Sequence, residues 1–357
     1  MNGAGGMRVD ELVREGRERG ASDVHVAANE QPVMRIDGEL IRIGEEILRG
    51  DELESFLGER LDARARQALH TLGFCDAAVR TSSLGPIRVH AFAGVRGLRC
   101  AIRLFPLAIP HLETLDVPRV IESFALRKSG LVLVVGPAGS GKTTLLAAMV
   151  DALNRAHPRH VVTLEDPVEY VHQSNRCIIA QCEIGRDGDG LAGAINGTLR
   201  ADPDVIVIGE LRDVESMRGA LGAAETGHLI LASLHTSSAA QAVERIVDAF
   251  PTEGRAQIRV QIAQTLAGIV ALRLVVRARG GGRRAATEIL VASDAVRNLL
   301  REGKAHQLRS AIQTGRAAGM QTLEMHLAGL VERGEITRAT ALACAEQPAE
   351  IAGGGAA

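Results

Sequence analysis

Apolar positions along the chain follow two different rhythms. Between Met7 and about Leu104 they come in short alternating runs, PVMRIDGELIRI and PIRVHAFAGV, around a helical stretch, DELESFLGERLDARARQAL. A period of two marks strands with one buried face, and the interleaved helix predicts a small α+β domain. From about Arg119 to Pro251 the apolar runs become continuous, as in LVLVV, HVVTL, DVIVI and HLILASL, with longer helical segments between them. Unbroken apolar strands alternating with helices predict a parallel sheet buried on both faces, an α/β core. After Phe250 helical periodicity dominates, broken by LRLVVRARGGGRRAATEILV, where two β-rich runs flank a Gly and Arg tip and predict a hairpin. The stretch FPLAIPHLETLDVP, with prolines 106, 110 and 118, is the natural linker, because proline and the residue before it resist continued helix or sheet. The expected domains are therefore 7–105 and 119–345, joined by 106–118, with a helical part from about 251. The small-residue ends 1–6 and 346–357 are expected to be disordered. A chain of 357 residues is long enough for two separate cores.

Composition narrows the function classes. A net charge of −2 supplies no global field for nucleic acid or an anionic membrane. Aromatics make up only 2%, with Tyr170 the one tyrosine and no tryptophan, so a base-stacking platform has few rings to be built from. The five cysteines (Cys75, Cys100, Cys177, Cys182, Cys344) are scattered and never form CxxC, which indicates neither a disulfide framework nor a zinc ribbon and fits a reducing cytoplasm. No run of eighteen apolar residues occurs and no apolar segment follows the first basic residues, so neither membrane spanning nor export is expected.

The chemistry begins at GPAGSGKT. Gly136, Pro137, Ala138, Gly139, Ser140, Gly141, Lys142 and Thr143 match GxxxxGK[ST] between an apolar strand and a helical segment, with Thr144 next in line. In such a loop the glycines let backbone N–H groups close around phosphates, the lysine reaches the outer phosphates, and the threonine hydroxyl ligates magnesium. The chain has only three lysines, and one stands at this position. In an open parallel sheet the ligand lies beyond the carboxyl ends of the strands, so the polar residues closing each apolar run are candidates. HVVTL closes on Glu165 and Asp166, DVIVI on Gly209 and Glu210, and LILASL on His235 and Thr236. Glu210 is placed to hold magnesium through water or to orient the attacking water; Glu165 is the other candidate base, and the sequence leaves their division of labour open. His235 is the better placed histidine for sensing the γ-phosphate, whereas His228 sits at the opposite end of the same run and is as readily structural.

With these residues in view, the chain resembles the PilT-type ATPases, the retraction motors of bacterial type IV pili within the secretion-ATPase superfamily. The resemblance runs from ASDVHV through PVMRIDG, the phosphate loop, TLEDPVEYVH, DPDVIVIGELRD, AAETGHLILASLHT, AVRNLLREGK and GMQTLEMHL to about Ala345. TLEDPVE, with Asp166 and Glu169 as secondary candidates, resembles the family's Asp box; GELRD resembles its Walker B segment and TGHLILASLHT its His box. The resemblance implies a PAS-like N-terminal domain, a RecA-like P-loop core and a helical C-terminal region. It also implies a cytoplasmic homohexamer that hydrolyses ATP with magnesium and works on an inner-membrane platform protein, without DNA or RNA and without a transmembrane segment. In that arrangement Arg88 and Arg103 occupy the positions of arginines that help neutralise the phosphates; read without it, both are solvated strand-edge arginines. Ala295, Val296, Arg297, Asn298, Leu299, Leu300, Arg301 and Glu302 resemble the retraction motif. Their bland alternative is an amphipathic surface helix with Val296, Leu299 and Leu300 inward and Arg297, Arg301 and Glu302 solvated.

Departures from the family keep other readings open. Gly188, Gly190, Gly193 and Gly197 should loosen any helix near 190–200, which raises an accessory, PilU-like paralogue as an alternative, and a paralogous retraction ATPase as a partner. The family's assembly and secretion ATPases carry a tetracysteine site that this sequence lacks, which favours retraction. A nucleic-acid translocase has one patch to offer, Arg277, Arg279, Arg283 and Arg284 at the hairpin tip; a nucleotide-gated ring subunit without turnover is the remaining rival.

Overall fold

The structure is a computed structural model that describes residues 8–184 and 190–352. Gly188 and the ends 1–7 and 353–357 lie outside the described residues. The chain divides after Ala108 into two compact units.

In the first unit six strands, β1 (Ala21–Ala27), β2 (Val33–Ile36), β3 (Glu39–Arg42), β4 (Phe74–Thr81), β5 (Gly85–Gly94) and β6 (Gly97–Leu104), form a sheet in the order β3-β2-β1-β6-β5-β4. Every pairing is antiparallel, which explains the period-two pattern. Val24 and Val26 of β1 and Ile87, Val89 and Ala91 of β5 are buried with Leu12, Leu53 and Phe56 from the flanking helices Val9–Glu18 and Gly50–Arg60. Arg17 ties the first helix to the sheet by donating to Leu84 O (2.8 Å), Pro86 O (2.8 Å) and Phe105 O (2.6 Å).

In the second unit seven strands, β7 (Gly130–Val135), β8 (His160–Glu165), β9 (Ile178–Glu183), β10 (Val205–Ile208), β11 (Leu229–Leu234), β12 (Leu266–Val276) and β13 (Arg283–Val291), are ordered β13-β12-β7-β11-β10-β8-β9. All neighbours are parallel except β12 and β13, which form the expected hairpin. The continuous apolar runs have a direct cause. Leu131, Leu133, Ile206, Ile208 and Ile230 point into one core, while their neighbours Val132, Val134, Val205, Val207 and Leu231 point into another on the opposite face. Neither face meets water, so alternation has nothing to select for. The first core is closed by helices Val214–Glu225 and Ala239–Ala249, the second by Lys142–Ala156 and Val120–Ala125.

Three local expectations change. Despite its glycines, the segment after Gly190 folds as helix Leu191–Thr198, because Ile195 is fully buried and lies 3.1 Å from where a side chain at Gly219 would begin. Helix pairing at that glycine offsets the propensity cost. The segment from 346 is packed in its first part: Pro348–Ala352 is helical, Ile351 is buried, and Glu324 accepts from the backbone N–H groups of Glu346 and Gln347 (both 3.0 Å). At the hairpin tip Arg284 is not available to a partner, since it is buried and paired with Asp116 and with Glu335 (2.7 Å).

Candidate active site

The loop from Gly136 to Gly141 leaves β7 and enters helix Lys142–Ala156. Gly139 and Gly141 have φ of +74° and +94°, the left-handed region that favours glycine. A Cβ at Gly136 would stand 2.5 Å from both Leu272 O and Ser140 Oγ, so that position also requires glycine. Pro137, Ala138 and Gly139 are exposed, and no side chain caps the helix. The N–H groups of its first turn, Lys142, Thr143 and Thr144, are therefore left for an anion, whose charge the helix dipole favours. Ser140 Oγ and Thr236 Oγ1 are buried without hydrogen-bond partners among the described residues, a further sign of a polar ligand's place. These features fit a nucleotide's phosphates together with a magnesium ion, whose protein contacts would come from Thr143 and Glu210.

The strand ends converge as the sheet topology requires. Lys142 Nζ donates to Gly136 O (2.8 Å) and Pro137 O (3.0 Å) and meets His235 Nδ1 at 3.1 Å. His235 Nε2 meets Glu210 Oε1 at 2.9 Å, and Arg212 Nε donates to Glu210 Oε2 at 2.8 Å. Arg212 continues to Asp166 at 3.6 Å. An ammonium only donates and a carboxylate only accepts, so an imidazole bridging the two accepts at Nδ1 and donates from Nε2. Burial lowers the Lys142 pKa, against the opposing pull of Glu210 and Glu169.

Glu165 lies apart from this chain, at the end of β8. Its Oε1 accepts from Thr163 Oγ1 (2.7 Å) and Gln181 Nε2 (3.2 Å). Burial raises its pKa above the usual carboxylate range, more than these hydrogen bonds lower it. A cavity of about 20 Å³, lined by Thr143, Thr163, Glu165, Tyr170 and His172, joins Glu165 to the phosphate-loop threonine. That is room for a single water beside several polar groups. Thr144 turns elsewhere, its Oγ1 pairing with Tyr170 OH at 2.9 Å.

The remaining candidates scatter. His228 hydrogen-bonds Ala223 O (3.0 Å) and Thr226 (3.1 Å) at the far end of β11, a turn contact remote from the loop. Arg88 and Arg103 belong to the first unit, where they face each other across β5 and β6. They sit on interior strands rather than an edge: Arg88 forks onto Asp76 (2.6–3.1 Å) and Arg103 donates to Asp23 (3.0 Å). Each acid offsets the repulsion of two guanidiniums placed opposite one another. The segment 295–302 falls on helix Asp294–Arg301, with Val296 and Leu300 buried, Leu299 half-buried and Ala295, Asn298, Arg301 and Glu302 exposed. Arg297 departs from the bland reading: its guanidinium donates to Gln264 O and Leu266 O (both 3.0 Å) and to Ala263 O, closing the carboxyl end of helix Arg255–Thr265. The last carbonyls of a helix lack intrahelical partners and accept readily from a cationic side chain.

Sequence reasoning missed Arg212, Thr163, the Tyr170 hydroxyl and Gln181. Arg212 and Tyr170 lie inside GELRD and TLEDPVEYVH, so their motifs carried a signal; Gln181, in IIAQCEIG, had none.

The parallel sheet with a phosphate loop at its strand ends defines a P-loop ATPase. The profile of the family described as type II/IV secretion system protein matches residues 7–339, and the chain belongs to that family. It is 41% identical to the type IV pilus retractation ATPase PilT of Pseudomonas aeruginosa over 96% of this chain and 99% of that protein. It is 36% identical to the type IV pilus ATPase PilU of the same organism, over 97% and 90% respectively. The crystal structure of the pilus retraction motor PilT with bound ADP superposes with a TM-score of 0.88 at 36% identity, covering 96% of this chain and 98% of that one.

Proposed function

We propose that this chain is a magnesium-dependent ATPase motor that assembles as a homohexamer and retracts type IV pili from the cytoplasmic side of an inner-membrane platform. The observation that carries the ATPase part is the chain Lys142–His235–Glu210, which links the phosphate loop to two other strand ends within hydrogen-bond distances. Retraction rests on the similarity to PilT over nearly the full length of both chains. The similarity to PilU supports an accessory retraction subunit as the second reading.

The residues divide the work as follows. Gly136 to Thr144 bind the phosphates, with Lys142 leaving its own loop carbonyls and His235 to do so. Magnesium, when bound, neutralises phosphate charge and aligns the γ-phosphate. Thr143 and Glu210 would hold the metal, while His235 and Arg212 keep the Glu210 carboxylate aimed. Glu165, half-buried and more basic than an ordinary carboxylate, takes the proton of the attacking water. Once Lys142 turns to phosphate, His235 loses its donor, so the imidazole contacts report whether the γ-phosphate is present. Arg88 and Arg103, carried by the first unit, are the phosphate-neutralising candidates that the resemblance implies, and each would have to leave its carboxylate, Asp76 or Asp23, to act so.

Lys142→Ala should abolish phosphate release, whereas Glu210→Gln should still bind ATP and need more magnesium for half-maximal turnover. Binding of ATP with no magnesium-dependent turnover in any assembly state would instead make the chain a regulatory subunit. Deletion in the source organism should give hyperpiliated, non-twitching cells; bald cells would mean that the motor extends pili, and unchanged pili with a partner ATPase still present would favour the accessory role.

A further inference from the structure

Gln181 lies on β9, the edge strand of the seven-stranded sheet, where a side chain has no ladder role. Its amide is nevertheless fully engaged. Nε2 donates to Glu165 Oε1 (3.2 Å) and to Tyr170 O (2.9 Å), and Oε1 accepts from the backbone N–H of His172 (2.8 Å). Two donors and one acceptor thus grip both the Glu165 carboxylate and the loop that follows it. The register places Gln181 beside Thr163, whose hydroxyl donates to the same carboxylate oxygen at 2.7 Å. The loop so gripped carries Tyr170, whose hydroxyl meets Thr144 on the first turn of the phosphate-loop helix. Gly209, on the other side, approaches so closely that a Cβ there would lie 3.3 Å from Glu165 Cα. Glu165 is therefore held from both flanking strands.

We infer that Gln181 is a positioning residue for ATP hydrolysis, fixing the rotation of the Glu165 carboxylate and coupling it through Tyr170 to the phosphate-loop helix. The inference rests on the reading of Glu165 as the base. A side-chain amide suits this task because it supplies donors to the carboxylate without neutralising its charge, as a lysine or arginine would. Because the grip is on the base and not on the nucleotide, its loss should appear in kcat and not in the KM for ATP.

The test is a double-mutant cycle on the full chain with steady-state phosphate release. Gln181→Met should lower kcat about tenfold, the usual scale for losing a supporting contact to a functional group, and leave KM within about twofold. Gln181→Glu keeps the acceptor for His172 N but sets a second carboxylate beside Glu165; the like charge favours the protonated base, so this variant should lower kcat more than Gln181→Met does and move the acid limb of kcat to higher pH, which Gln181→Met should not. In the Glu165→Gln background, Gln181→Met should cost nothing further. Equal losses in both backgrounds, or an unchanged kcat in the single variants, would overturn the inference. Should Glu165→Gln alone keep parental turnover, the base assignment fails, and the positioning role falls with it; a dead Glu165→Gln beside a fully active Gln181→Met would refute the positioning alone.

Discussion

The carboxyl ends of β8 and β10 are neighbours in the sheet, and each closes on a glutamate, yet the two acids live in opposite surroundings. Glu210 is held by charged or ring donors on both oxygens and connects directly to Lys142 through His235. Glu165 is reached by the neutral donors Thr163 and Gln181 and faces a one-water cavity shared with Thr143. A carboxylate braced by an arginine is suited to holding a metal in one geometry. One that is half-buried against neutral donors keeps its basicity and is suited to taking a proton. On the reading proposed above, the carboxyl end of one sheet gives two residues of identical chemistry different duties through their surroundings alone.

The sharpest way to break this contrast is to neutralise each acid in turn. Glu165→Gln should lower kcat at least about a hundredfold with ATP affinity nearly unchanged, the scale of a lost general base. Glu210→Gln should chiefly raise the magnesium concentration needed for half-maximal turnover. Nucleotide binding measured beside phosphate release decides it, and the reverse pattern would exchange the two roles.

The pH profile sharpens the same contrast. A carboxylate whose pKa is raised is protonated at a higher pH and then cannot accept a proton, so activity is lost as pH falls through the raised value. The acid limb of kcat should therefore lie above the ordinary carboxylate value of 4.5. Glu165→Asp should move that limb, and Glu210→Asp should leave it in place.

A smaller effect is expected at Arg212, which touches Glu210 and Asp166 but not Glu165. Arg212→Ala should cost roughly tenfold in apparent magnesium affinity and leave the acid limb unmoved, as measured by magnesium titrations at several pH values. The smallest effect on chemistry belongs to Arg297, which closes a helix end away from both acids. Arg297→Ala should lower unfolding free energy by about 1–2 kcal/mol in denaturant titrations, with KM for ATP unchanged. A large change in KM would place that helix closer to the nucleotide than its contacts suggest.

Much of this was legible in the letters, and for a physical reason. Strands buried on both faces must be apolar throughout, so the first polar residue after each run marks a strand end, and strand ends are where a parallel sheet binds its ligand. That rule alone picks out Glu165, Glu210 and His235. It cannot reach Gln181, because an edge strand is half exposed and a glutamine there looks like any solvated residue. It also misjudged Arg297: helical periodicity tells which way a side chain starts, whereas a long guanidinium can fold back onto carbonyls of another helix. The glycines near 190–200 misled in the other direction, since propensity weighs a residue alone and the packing of Ile195 against Gly219 is a property of two segments.

The contact between Tyr170 and Thr144 has a spectroscopic consequence. A subunit with one phenol and no indole has a single source of tyrosine-type emission, and that ring leans on the opening turn of the phosphate-loop helix. Ultraviolet fluorescence of the unlabelled protein thus watches one spot, and a stopped-flow trace after mixing with ATP should follow the arrival and departure of nucleotide without a dye.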